Sequence, residues 1–182
     1  MNNPITALLI FVLLSGCSAQ GISPEDKRGS ISAMHNEVLS EIYAKSSKAK
    51  SDVSSSAGYA VFSNAQINLL FVSAGTGFGV AKSNGVSTYM KMGEAGVGLG
   101  LGVKDFRALF VFHTEMAYRN FVDKGWVFGA EADAAAKTSD KGGEAGGGVT
   151  IGDITVYQMT DVGLALQATI KGTKYWKDSE LN

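Results

Sequence analysis

The stretch that most constrains the fold is Gly93–Thr114, GEAGVGLGLGVKDFRALFVFHT. Gly96, Gly98, Gly100 and Gly102 alternate with Val97, Leu99, Leu101 and Val103. A period of two is the period of a strand, so one face is bare and the other apolar. Each glycine inside a strand costs roughly 0.5–1 kcal/mol of backbone entropy. The bare face is therefore expected to receive a second sheet, or a helix packed against the backbone. Phe106–His113 follows, with Phe106, Ala108, Phe110 and Phe112 on one face and Leu109 and Val111 on the other. Apolar residues on both faces predict a central strand covered from both sides. Lys104-Asp105 reads as the corner between the two strands.

The rest of the chain reads as cover for this pair. At 182 residues, 45% hydrophobic and 18% charged, it is the size of one domain with an ordinary core. A formal net charge of −1 leaves no electrostatic footprint for nucleic acid. Cys17 is the one cysteine, so neither a disulfide framework nor a cysteine metal cluster forms within one chain.

Residues 5–14, ITALLIFVLL, are an apolar run of ten. That is too short to span a bilayer as a helix but suits the core of a signal peptide. Leu14-Ser15-Gly16-Cys17 follows and resembles the bacterial lipobox. The resemblance implies a signal peptide over 1–16, a palmitate-bearing lipid on Cys17, and a tether over 17–23. It also implies a place in the cell envelope, facing the periplasm. Ser18 stands where an aspartate would favour inner-membrane retention, which points to the outer membrane.

Residues 24–182 are expected to form a single domain. Ser23-Pro24-Glu25-Asp26 reads as a helix start: a cap, a proline at the first position, and two acids on the positive dipole end. Ile31, Met34, Val38 and Ile42 recur at helical spacing, predicting an amphipathic helix over 24–44. Ser46 or Ser47 caps a second, shorter helix to about Ser56. Lys45, Lys48 and Lys50 cluster at this joint, read either as a solvated face or as a contact for anionic head groups. His35 lies beside the apolar stripe and reads as a packed or surface histidine.

From Gly58 the pattern turns to strands. Gly58–Phe62 and Asn68–Ser73 read as two short strands, and Lys82-Ser83-Asn84-Gly85 as a hairpin turn. Thr114 caps a predicted helix over 115–124, ended by Gly125, with Met116, Ala117 and Phe121 as its buried face. Trp126–Lys137 alternates as a strand. Asp140–Gly148 reads as a loop, and Ile154–Thr160 and Leu164–Lys171 as two closing strands. The fold class is α+β: N-terminal amphipathic helices, then a glycine-rich, mostly antiparallel β-sandwich or barrel-like sheet with one inserted helix.

Catalytic signatures are missing from the sequence. It has no His-x-x-x-His, Cys-x-x-Cys or Gly-x-Ser-x-Gly, so neither an enzyme nor a cofactor is expected. The glycine series at 75–79 and 96–100 does not open a helix, which argues against a nucleotide loop. Glu131 and Asp133 share a strand face and read as a solvated face before a cation site.

Taken in order, Ile42-Tyr43 with a lysine-rich helix after it, Ala57–Phe62, the glycines at 75, 77 and 79, the second series in 96–102, Gly125-Trp126 and the closing Leu164–Lys171 resemble the SYLF domain. That is a lipid-binding family, and the similarity covers about residues 30–172. The resemblance implies a non-catalytic module whose partners are membrane phospholipids, with Lys45, Lys48 and Lys50 as the contact. An envelope protein-partner scaffold and a small transmembrane β-barrel are the alternatives.

Overall fold

The computed structural model describes residues 21–70, 72–96, 100–127, 144–145, 148–160, 163–165 and 173–182. Cys17, Gly98, Glu131, Asp133 and most of the strand expected over 126–137 lie outside these residues.

Helix α1 spans Pro24–Lys45. The Ser23 hydroxyl accepts from the Asp26 amide at 3.1 Å, and the Ser23 amide donates to the Asp26 carboxylate at 3.2 Å. This reciprocal box satisfies donors that the first turn leaves without helical partners. The serine hydrogen bonds hold the Asp26 carboxyl below its ordinary pKa. Ile31, His35, Val38 and Ile42 are the buried stripe. Ser46 stops the helix and starts the next: its amide bonds the Ile42 carbonyl at 2.8 Å, while its hydroxyl caps the Ala49 amide at 3.2 Å. Helix α2 then runs Ser47–Ser55.

One antiparallel sheet follows. Its strands are β1 (Gly58–Leu70), β2 (Val72–Ser83), β3 (Val86–Gly96), β4 (Gly100–Phe112), β5 (Trp126–Val127), β6 (Glu144–Ala145), β7 (Gly148–Ile151), β8 (Ile154–Thr160), β9 (Gly163–Ala165) and β10 (Thr173–Lys177). Their order is β5-β10-β3-β2-β1-β4-β8-β7-β6, with β9 also on β8. Asn84 and Gly85, both at positive φ, make the tight β2–β3 turn, the backbone that hairpin twist favours.

Three sequence expectations are corrected here. Gly58–Phe62 and Asn68 onwards are not separate strands, because β1 runs through Ser63-Asn64-Ala65-Gln66 without a break. Lys104-Asp105 is not a corner: β4 passes straight through it, with Lys104 opposite Gln66 and Asp105 opposite Ala65. The loop expected at 140–148 contains β6 and the start of β7.

The sheet has two apolar faces. Outward, Val61, Leu109, Val111, Tyr157 and Met159 pack beneath Val38, Ile42 and Ala49 of α1 and α2. Inward, Phe62, Met92, Phe110, Phe112 and Val156 form the larger core with Phe121, Trp126 and Tyr175. The sheet is strongly curled. β10 is separated from β1 by β3 and β2, so flat strands would hold them roughly 14 Å apart. Yet the Tyr175 ring lies 4.7 Å from Phe62 and 5.0 Å from Phe110, centroid to centroid. Glycines on β2 make this possible. A Cβ on Gly79 would stand 2.7 Å from Phe62 Cε1, and one on Gly77 2.9 Å from Asn64 Cα. At Gly77 and Gly79 the bare backbone is covered within one curled sheet; what covers the 96–102 glycine series lies outside the described side chains.

Helix α3 is Glu115–Arg119, capped by Thr114 as expected; the next turn, Asn120–Lys124, is a π-helix ended by Gly125 at φ 73°. Met116 stands in the α-helical turn, five residues ahead of Phe121, a spacing that does not share a helix face. Tyr118, Phe121 and Val122 point inward, while Met116, expected to be buried, is 69% exposed.

Candidate functional site

The three sequence-selected lysines lie at the α1–α2 elbow, Lys45 at the end of α1 and Lys48 and Lys50 near the start of α2. Lys45, Lys48 and Lys50 are all exposed, but they are not equivalent. Lys48 Nζ donates to both carboxylate oxygens of Asp52, at 2.8 and 2.7 Å. Asp52 also accepts from the Tyr157 hydroxyl at 2.6 Å. Burial works to raise the Asp52 carboxyl, but the hydrogen bonds from Lys48 and Tyr157 outweigh it and hold the pKa below its ordinary value. The same contact, added to burial, pushes the Tyr157 phenol far up. Asp52 therefore ties α2 to β8 through Tyr157, and the charge of Lys48 is already matched. Lys45 and Lys50 make no ion pair among the described residues, so the elbow presents two cations to solvent rather than three.

Charges elsewhere on α1 oppose the elbow. Asp26 and Glu37 are exposed along the helix with no ion pair among the described residues, whereas Arg28 is paired with Glu25, Lys27 with Glu180, and Arg107 of β4 with Glu41. Among the described residues of α1 and α2, the cations without an ion pair are Lys45 and Lys50 of the elbow. His35 is a packed histidine: its Nε2 lies 3.2 Å from the Tyr59 hydroxyl and Nδ1 3.0 Å from Asn36 Oδ1. Burial lowers its pKa, with Asn36 pulling the other way.

A second group of polar residues, not singled out in the sequence, lies inside the curl. Asn64 Nδ2 donates to Glu94 Oε2 at 3.3 Å, across the glycines of β2. Thr173 stands opposite Glu94 in the β3–β10 register, and Tyr175 lies two residues further along. All four are buried. Burial raises the Glu94 carboxyl, with Asn64 pulling the other way, and raises the Tyr175 phenol well above its ordinary value. Alternation alone could have placed Asn64 inward after Ala60 and Phe62. Its polarity hid this, because Asn64 reads as an interruption of the strand. Among the described residues, no group of three or more His, Cys, Asp or Glu side chains could hold a metal ion. No helix among them is long and apolar enough to cross a membrane.

No family model matches the chain. A curated protein, Beta cell expansion factor A of Aeromonas veronii, is 31% identical over 160 residues. The match covers 86% of this chain and 59% of that protein. The chain thus spans well under two thirds of its relative's length.

Proposed function

We propose that the chain is a SYLF-type lipid-binding module, non-catalytic and held in a bacterial envelope by a lipid on Cys17. Its elbow contacts anionic phospholipid head groups. The observation that carries this reading is the exposure of Lys45 and Lys50 at one joint, without ion pairs among the described residues. The bacterial source of the relative fits an envelope setting. The helix cover favours a module over a membrane-spanning barrel: Val61, Leu109 and Val111 face α1 and α2, where a barrel would turn that face to acyl chains.

Vesicle sedimentation tests the reading. Each lysine near an anionic surface contributes about 1 kcal/mol. Replacing Lys45 and Lys50 together by Gln should weaken binding to anionic vesicles about 30-fold at low salt. Raised salt should erase most of the difference. Replacing Lys48 by Gln together with Asp52 by Asn should change vesicle binding little, since the pair carries no net charge. Equal pelleting of wild type and the Lys45/Lys50 double variant would remove the elbow from the function. Labelled palmitate should mark the wild type and leave Cys17→Ala unmarked.

A further inference from the structure

The contacts of α1 run across the strands. Ile31 packs with Val80 of β2 and with Leu181, while Val38 and Ile42 pack with Val61, Leu109 and Tyr157 of β1, β4 and β8. β3, β10 and β5 therefore lie beyond the start of the helix. On the outer face of these strands Lys174 stands between two apolar neighbours. Val127 is its partner across the β5–β10 pair, and Trp176 follows two residues along the same strand, on the same face. Gly93 is opposite Lys174 on β3. The Trp176 ring covers that glycine: a Cβ on Gly93 would stand 3.1 Å from Cη2 and 3.5 Å from Cζ3. The sheet thus holds one side of the indole, and Trp176 and Val127 remain 38% and 39% exposed.

The acids around this face are already matched. Asp178 is paired with Lys91 at 3.0 Å, Asp123 with Lys177 at 2.9 Å, and Glu180 with Lys27. Lys174 is exposed and has no ion pair among the described residues. A fixed indole, an aliphatic neighbour and an unpaired lysine between them suit the head-group level of a bilayer. An indole is apolar in its body and polar at its N–H. A lysine lays its stem on apolar surface while its ammonium reaches water.

The tail that follows Trp176 is fastened to the start of α1. Lys27 pairs with Glu180, and Arg28 Nε donates to the Leu181 carbonyl at 3.0 Å. Glu180 is four residues from Trp176, at most about 14 Å of chain, and Lys27 is three residues from Pro24, about 4.5 Å of helix. From Pro24 the chain back to Cys17 reaches at most about 24 Å. Within it Ile22 is fully exposed. A lipid on Cys17 would therefore bring the bilayer to the end of the molecule where Trp176 lies, away from the elbow.

We propose that Val127, Lys174 and Trp176 form the face that rests on the membrane holding Cys17, with the indole at head-group depth. The contact depends on the lipid proposed for Cys17 above. It is mainly apolar, so unlike the elbow it does not require anionic head groups.

The chain has two tryptophans, Trp126 and Trp176. The lipidated chain is placed in phosphatidylcholine vesicles whose acyl chains are brominated near the head group, where bromine quenches indoles that enter the lipid. The expected result is quenched, blue-shifted emission in the wild type. Both effects should be absent in Trp176→Phe, whose remaining indole, Trp126, is 7% exposed. Trp176 and Val127 are exposed, so their variants keep the fold. Val127→Asp should cut the quenching by about half. Raised salt should leave it in place, since salt screens charge and not apolar contact. Equal quenching in wild type and Trp176→Phe, or none in a chain that floats with its vesicles, overturns the proposal. Shielding of Trp176 from aqueous iodide without quenching by the brominated lipid would mean that protein covers the face, a second copy or another chain, and overturns it as well. A palmitate label is read on the same sample. A labelled chain without quenching removes this face and leaves the anchor standing; an unlabelled chain that stays off the vesicles removes both.

Discussion

At Glu94 burial and charge are at odds. It is 8% exposed, and burial raises its carboxyl pKa against the hydrogen bond from Asn64. In the unfolded chain the carboxyl returns to its ordinary value, so over the range between the two the folded state holds more protons. Stability from this group is then fully present below the unfolded value, near 4.5, and is lost as pH rises through the folded value. Glu94→Gln should therefore raise the melting temperature at pH 8 while changing it little at pH 4. A melting temperature lowered at pH 8 would show that the carboxylate is stabilising in its charged form. Gly79 tests the curl at the same scale. A side chain there would overlap the Val61 carbonyl and the Phe62 ring, and backbone does not yield cheaply. Gly79→Val should lower stability by roughly 1–3 kcal/mol, read from a urea midpoint; an unchanged midpoint would mean the curl relaxes to accept a side chain. Alternation alone already marks such glycines as a bare face. What fills that face is not legible from a single strand, because Tyr175 arrives from almost a hundred residues away.

The helices were the most legible elements because their signals are local. Ser23, Ser46 and Thr114 each cap the helix that the sequence places after them. The strands were less legible where function or packing overrode pattern. Ser63–Gln66 looked like a break because Asn64 is polar, but its partner Glu94 lies thirty residues on. Lys104-Asp105 looked like a corner because charges usually mark turns; here the strand continues, and nearby Arg107 is matched by Glu41 of α1. At the elbow, sequence alone gave three equal lysines. The i,i+4 spacing of Lys48 and Asp52 on α2 allows their pairing locally, whereas the hydrogen bond that Asp52 accepts from Tyr157 of β8 is one no local pattern reveals. This contact makes the element-scale prediction. Tyr157→Phe removes a hydrogen bond to a charged acceptor, so it should cost roughly 1.5–3 kcal/mol. Asp52 has a depressed folded pKa, so its contribution is present above the unfolded value near 3.8 and is lost as pH falls through the folded value. The Tyr157→Phe penalty should thus be large at neutral pH and shrink in acid. A penalty that stays constant with pH would assign it to packing of the ring.

At the scale of the whole molecule, the proposed lipid anchor and the lysine elbow stand at opposite ends of α1. The helix has 22 residues, about 33 Å at 1.5 Å per residue. The chain from Cys17 to Pro24 reaches at most about 24 Å when fully extended. Electrostatic attraction fades within about 8 Å at physiological salt. If α1 stands away from the bilayer, Lys45 and Lys50 are out of range of the membrane that holds Cys17. If α1 lies along it, Asp26 and Glu37 are brought towards anionic head groups and oppose the contact. With the native tether, the anchored protein should therefore engage its own membrane weakly through the elbow. Ten added Gly/Ser residues between Cys17 and Ser23 lengthen the reach by about 35 Å and let the domain turn over. An environment-sensitive dye on Ser47→Cys, exposed at the elbow, reports the outcome in the lipidated protein on anionic vesicles. The dye should remain in water with the native tether and shift to the emission of the head-group region with the long one. The shift should vanish when Lys45 and Lys50 are replaced by Gln. A dye already shifted with the native tether would mean that α1 lies along the bilayer despite its acidic face. Anchor and elbow would then act on one membrane, and the elbow would not be free to reach a second one.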